Sequence, residues 1–243
     1  MKPNHLGLHE TQGGSVIGAT WLLGFVTYAV GVGLATSVLS APDSLATVLA
    51  HQTTLALGGF LLLVTCVLEL GKAVLFFPIL ERYSKRSAVT YLSALTVEVV
   101  LVAVGALGIL MVVPLSQQGV DAGAASAIGA KALGSIAILW NTTAYQIGEM
   151  SLCIGGAFLS LLLLRTRLIP RPMAVWGLVG YAVFMAGLAA EIFGIHISLI
   201  LSGPGGLFEI VFACWLLFKG FRQVAPGQDR APMAAVGQAT VAA

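Results

Sequence analysis

The chain has 243 residues, of which 58% are hydrophobic and 9% charged, with a net charge of +2 and a mean hydropathy of +0.97. A soluble domain carries about 25% charged residues, so composition excludes an ordinary water-soluble fold. The few basic residues sit at helix ends and form no continuous patch for nucleic acid, and membrane spans of about 20 residues each use up nearly all of the length, leaving no room for a soluble catalytic domain.

Apolar runs matched to bilayer thickness predict an all-α bundle of six transmembrane helices at roughly 14–39, 52–79, 88–113, 135–164, 173–199 and 205–221. Residues 1–13 read as a cytoplasmic N-terminal segment, 14–222 as one transmembrane domain and 223–243 as a disordered cytoplasmic tail, the last because it is rich in alanine with Pro226, Gly227 and Pro232. The first apolar stretch is too long for the core of a cleaved signal peptide and is preceded only by Lys2. Ala41-Pro42-Asp43 ends the first span, and Glu81 to Ser87 forms a charged turn. Pro114 to Gly134, rich in Ala, Gly and Ser, reads as the longest loop, with a short helix on the membrane surface as the alternative, Arg165 to Pro172 as a basic turn, and Ser202-Gly203-Pro204-Gly205-Gly206 as a tight uncharged turn.

Basic residues set the orientation, because positively charged loops stay in the cytoplasm. Ten of the twelve fall on one side: Lys2, then Arg82, Lys85 and Arg86, then Arg165, Arg167 and Arg171, then Lys219, Arg222 and Arg230. Both termini are thus expected in the cytoplasm and the protein in the inner (plasma) membrane. Arg165, Arg167, Arg171 and Lys219 are read as anchors to anionic headgroups, each worth about 1 kcal/mol near the surface.

Ionisable residues inside the spans are the informative part, since a charge buried in lipid costs about 2.5–3.5 kcal/mol on insertion scales. Glu69 and Glu98 each lie about eleven residues from the second turn, so both are roughly 16 Å deep on antiparallel neighbours. Lys72, one turn from Glu69, is placed to pair with either carboxylate, and Glu149 lies near mid-membrane. These four form one candidate intramembrane polar site. Glu191, His196 and Glu209, with His51 at the outer start of the second span, form a second candidate, an outer pocket. Five acids against one lysine cannot all be ionised inside a bilayer, so some carry protons.

No pattern points to a metal or a catalytic set: no His-Glu-x-x-His helix, no nucleophile elbow and no phosphate-cradling glycine loop followed by Lys-Ser/Thr is present. Cys66, Cys153 and Cys214 stand singly in different spans without ligand or disulfide spacing. His51 and His196 on different helices are thin grounds for a haem, and no cofactor is expected. Trp21, Trp140, Trp176 and Trp215 read as interface anchors and packing residues. Gly14 and Gly18 have the small-xxx-small spacing of closely packed helices.

Leu168-Ile169-Pro170-Arg171, Val175-Trp176-Gly177-Leu178, Glu209, Trp215-Leu216-Leu217 and Lys219-Gly220-Phe221, together with Glu69, a helix-closing Pro78 and Glu98, resemble bacterial domain-of-unknown-function family 4386 over roughly residues 14–222. The resemblance implies a six-helix integral membrane protein and no established activity. Where that family commonly has an arginine two residues before the third-helix glutamate this chain has Thr96, with Lys72 the candidate substitute. Three readings stand at this point. The first is a non-enzymatic protein with a glutamate-lined cavity for proton-linked binding or passage of a small solute or lipid. The others are an accessory subunit of a larger membrane complex and a haem- or quinone-binding redox protein. Beyond the lipid bilayer the sequence names no partner.

Overall fold

The computed structural model describes residues 5–40, 44–121 and 125–222. These form seven helices: α1 (His5–Leu39), α2 (Ser44–Ala50), α3 (Gln52–Glu81), α4 (Lys85–Asp121), α5 (Ala125–Thr166), α6 (Arg171–Ile192) and α7 (Ser198–Lys219). Helices are what a bilayer demands, because in lipid each backbone N–H and C=O must be satisfied within its own segment. All but α2 contain a stretch long and apolar enough to cross a membrane. The protein is a polytopic membrane protein embedded in the bilayer, with side chains such as Val67, Leu199 and Phe218 facing outward at 72–87% exposure.

Each membrane helix packs on the next, from α1 to α3 and onward to α7, and α7 returns to α1. The outcome is a closed ring of six antiparallel helices. Lipid tails are as apolar as leucine, so close packing must draw the helices together, and glycines supply it where the ring closes. On α1, a Cβ at Gly18 would collide with the Ala213 carbonyl of α7, one at Gly14 would lie 3.0 Å from the Gly220 Cα, and the Ser15 hydroxyl donates to the Leu217 carbonyl at 2.9 Å. Gly14 and Gly18 thus serve packing within the chain.

Alternation puts the α3–α4 turn, the α5–α6 turn and the end of α7 at one end of the ring, here called the basic end, where Arg165, Arg167, Arg171 and Lys219 are all exposed. The Arg222 amide donates to the Leu168 carbonyl at 2.9 Å, tying the end of α7 to the α5–α6 turn, and the Lys219 ammonium lies 4.8 Å from the centre of the Trp215 ring.

Two apolar clusters fill the ring. One, toward the basic end, is rich in aromatics: Trp21, Phe76, Tyr91, Tyr181, Phe208 and Phe212 are all buried in it. Trp21 meets Phe76 and Phe212 edge-on, with ring centroids 5.9 and 5.4 Å apart. The other is aliphatic and draws only on α1 to α5, with Val38, Val48, Leu55 and Ile109 among its members. Helices α6 and α7 do not reach it, being 22 residues long where α4 has 37 and α5 has 42.

Four boundaries differ from the sequence reading. Pro114 to Gly134 is mostly helix: α4 runs through Pro114 to Asp121 and α5 begins at Ala125. Hydropathy marks where the bilayer ends, and a helix need not stop there. Between the first two long spans stands the short α2, which packs on α1, α4 and α5. Most consequential for the site, Ser202-Gly203-Pro204-Gly205-Gly206 is not a turn but lies inside α7. Its glycines let two helices touch, since a Cβ on Gly180 would sit 2.9 Å from the Gly205 Cα. The actual turn is at 193–197, where Gly194 adopts φ +80 and the Ile195 and Gly194 amides donate to the Ala190 and Glu191 carbonyls at 3.0 Å, closing α6 in the manner of a Schellman motif. Isoleucine and phenylalanine fill this turn and hid it from a hydropathy reading. Similarly, Pro78 lies within α3, which ends at Glu81. Residues 223–243, read above as a tail, lie outside the described residues.

Candidate functional site: an acidic cavity within the helix ring

Between the two clusters the six membrane helices leave a cavity of about 170 Å³. At ~30 Å³ per water that is the volume of five or six waters. Each helix contributes to its wall: Gly24, Phe25 and Tyr28 from α1; Thr65, Cys66 and Glu69 from α3; Glu98, Val99 and Val102 from α4; Tyr145, Glu149 and Leu152 from α5; Tyr181 and Phe184 from α6; Ser202, Gly205, Gly206 and Glu209 from α7. Four carboxyl groups face this one space.

Glu209 reaches it because α7 begins at Ser198, which puts the residue eleven positions, about 16 Å, along the helix. The expected grouping of Glu209 with the outer residues therefore does not occur. Its Oε1 accepts from the Tyr181 hydroxyl at 2.7 Å and its Oε2 from the Trp21 indole N–H at 3.2 Å, so both oxygens are occupied. Two donors on one buried carboxylate hold α1, α6 and α7 together through a single side chain.

Lys72 is 1% exposed, forms an ion pair with Glu69 Oε2, and lies 4.1 Å from the centre of the Trp21 ring. The lysine stands behind the wall and does not line the cavity. Of the two carboxylates open to it in sequence, it takes the one on its own helix, where i,i+3 spacing puts the groups on one face. It does not stand in for an arginine beside Glu98. Thr96, at that arginine's position, is exposed on the lipid side and its hydroxyl folds back to the Leu92 carbonyl at 2.8 Å.

Glu98 is 5% exposed, and its Oε2 has no hydrogen-bond partner. Leaving a buried polar group unpaired costs about 1–3 kcal/mol, and more for a charged one. Among the described residues three neutral groups share this condition, Tyr91, Ser160 and Trp215. Only Glu98 does so with a carboxyl group on a cavity wall. Glu149, 7% exposed, stands on the same wall one turn from Tyr145, whose ring stacks on Tyr28 with centroids 5.2 Å apart.

The remaining residues of the expected outer pocket are placed elsewhere. His196 is 82% exposed at the α6–α7 turn, with Nδ1 3.2 Å from Glu191 Oε1. Glu191 Oε2 accepts from the Ser198 amide at 3.3 Å and so caps the first turn of α7 in place of Ile197, which has no polar side chain. His51 is exposed between α2 and α3. Neither imidazole is enclosed as a haem ligand would be. Among the described residues no group of three or more His, Cys, Asp or Glu side chains is arranged to hold a metal ion. The three cysteines are free thiols.

Trp21, Tyr28, Tyr145 and Tyr181 were not singled out as site residues from the sequence. Trp21 is buried to 1% and is no interface anchor. One signal was present: Gly14, Gly18 and Trp21 share one face of α1, the face that glycines turn toward a neighbouring helix.

The family model described as Domain of unknown function (DUF4386) matches residues 16–220. No curated protein and no solved structure gives a significant match.

Proposed function

The chain belongs to the DUF4386 family, and from that premise we propose that its helix ring binds a small polar solute and takes it up, or passes it across the bilayer, in exchange with protons. The observation that carries this reading is the unpartnered Glu98 carboxyl on the wall of a cavity that all six membrane helices build. An intramembrane ionisable residue without a structural partner is by default a functional one. Four carboxyls facing one lysine cannot all be charged inside a bilayer, so the number of protons they hold depends on what else occupies the cavity. At about 170 Å³ the space suits a small solute, below the roughly 300–1,000 Å³ of pockets for drug-sized ligands. The route outward passes Ser202 and Gly206, both partly exposed, where α6 and α7 fall short of the aliphatic cluster.

The basic end is placed in the cytoplasm with both termini, by the positive-inside rule, and the membrane is taken to be the bacterial inner membrane. A reporter active only outside the cytoplasm, fused after Arg222, is expected to stay silent, and activity there would invert the topology. A second reading, an accessory subunit, draws support from the α4–α5 hairpin. At 42 residues α5 is about 63 Å long, twice the hydrocarbon thickness, and it projects beyond the bilayer on the side opposite the basic end.

Native mass spectrometry of protein released from its own membranes tests both. The solute reading expects a small non-lipid mass on the wild type that Glu98→Gln loses while retaining its lipids. Identical masses on both proteins contradict it, and a stoichiometric co-purifying protein favours the accessory reading.

A further inference from the structure

The cavity has a chemical preference written into its wall. We infer that its solute is a small organic cation, a protonated amine, held with its ammonium on the Glu98 carboxylate and its apolar body against the surrounding rings. This deepens the solute reading and rests on it.

The wall carries four acids and no base, because Lys72 is turned behind it onto Glu69 and Trp21. An anion entering would meet only carboxyls and a few hydroxyls. Two of the acids are already committed, Glu69 to Lys72 and Glu209 to Tyr181 and Trp21. Glu98 lines the cavity, is 95% buried, and keeps its Oε2 without a hydrogen-bond partner. An ammonium is the group that both neutralises such an oxygen and donates to it.

The rest of the wall distinguishes an amine from a bare inorganic cation. Phe25, Phe184 and Val102 offer no ligand atoms, and the described residues contain no group of three or more His, Cys, Asp or Glu side chains placed to hold a metal ion. These side chains suit a hydrocarbon body, and aromatic faces attract a desolvated cation. Proton exchange follows from charge. Glu98 is faced by Glu69, Cys66 and, behind them, Lys72 from α3; by Glu149 and Tyr145 from α5; and by Tyr28, Tyr181 and Glu209 from α1, α6 and α7. With a single positive group among them, an arriving ammonium that displaces one proton keeps the buried charge constant.

Isothermal titration of the full-length protein in detergent with benzylammonium, benzyl alcohol and benzoate tests this, each run in two buffers of different ionisation heat. Benzylammonium alone is expected to bind saturably, with release of about one proton. Glu98→Gln should weaken it at least tenfold and abolish the proton release, whereas Glu98→Asp should keep a measurable part of both. Val102→Phe, which fills the cavity with an apolar ring, should block binding without touching a carboxyl and serves if Glu98→Gln fails to fold. Binding of benzyl alcohol or benzoate that Val102→Phe abolishes would overturn the cation while leaving the cavity a solute site. Absence of binding by all three, or amine binding indifferent to both Glu98→Gln and Val102→Phe, would overturn the inference. The small adduct seen by mass spectrometry then decides separately whether the solute reading survives.

Discussion

Lys72 and Glu98 stand on neighbouring helices inside one ring, yet their surroundings differ in kind. Around Lys72 each charged group is answered: the ammonium by Glu69 and the Trp21 face, and Glu209 close by through Tyr181 and Trp21. Edge-on aromatic rings seal that half toward the basic end. Around Glu98 the packing opens into a cavity and one carboxyl oxygen is answered by nothing in the protein. The same residue type therefore does two jobs, and the difference shows how to tell them apart. A buried glutamate with both oxygens occupied holds helices together, and one that lines a cavity with an oxygen left unpartnered is the candidate for a ligand.

This contrast breaks most sharply at Lys72. Lys72→Met leaves Glu69 without its counter-charge and should lower the unfolding free energy by about 3–5 kcal/mol, measured by denaturation in detergent. Adding Glu69→Gln should recover most of that loss, as expected for a pair whose cost lies in the orphaned partner. Gly18→Leu wedges α1 from α7 at the Ala213 carbonyl and is expected to cost about 1–3 kcal/mol through overpacking, read as an earlier thermal transition. Trp21→Phe keeps the ring but removes the donor to Glu209 Oε2, a loss of about 1.5 kcal/mol for a hydrogen bond to a charged group. The smallest change should come from Glu191→Ala at the exposed α6–α7 turn. It removes the acceptor for the Ser198 amide and should speed hydrogen exchange in the first turn of α7 while leaving the global transition nearly in place.

How far the sequence reached follows the same division. The six spans, and the gathering of Arg82, Arg165 and Lys219 at one end, were readable because hydropathy and basic turns report directly on the bilayer. Glu69, Glu98 and Glu149 stood out because acids inside spans are rare. The position of Glu209 did not. Its depth depends on where α7 starts, and the glycines and proline at 202–206 imitate a turn while serving close packing against Gly180. The true turn, Phe193 to Ile197, is mostly apolar and carries only Gly194 and His196 as marks of a turn. The donors Trp21 and Tyr181 stayed hidden for a different reason: they act across the ring from other helices, and periodicity shows which face a residue shares but not what stands opposite. Helix length escaped too, since α4 and α5 continue past the apolar stretch that marks the membrane.

If Glu98 is held ready for a ligand, it is kept at some expense of stability and is no structural pin. Proteins that carry a strained or unpaired group for function commonly gain stability when it is removed. The direct test is the thermal unfolding of Glu98→Gln beside the wild type, in one detergent and without added solute. The variant is expected to unfold at the same temperature or higher. A drop comparable to that of Lys72→Met would contradict it and place Glu98 among the residues that bind the ring together.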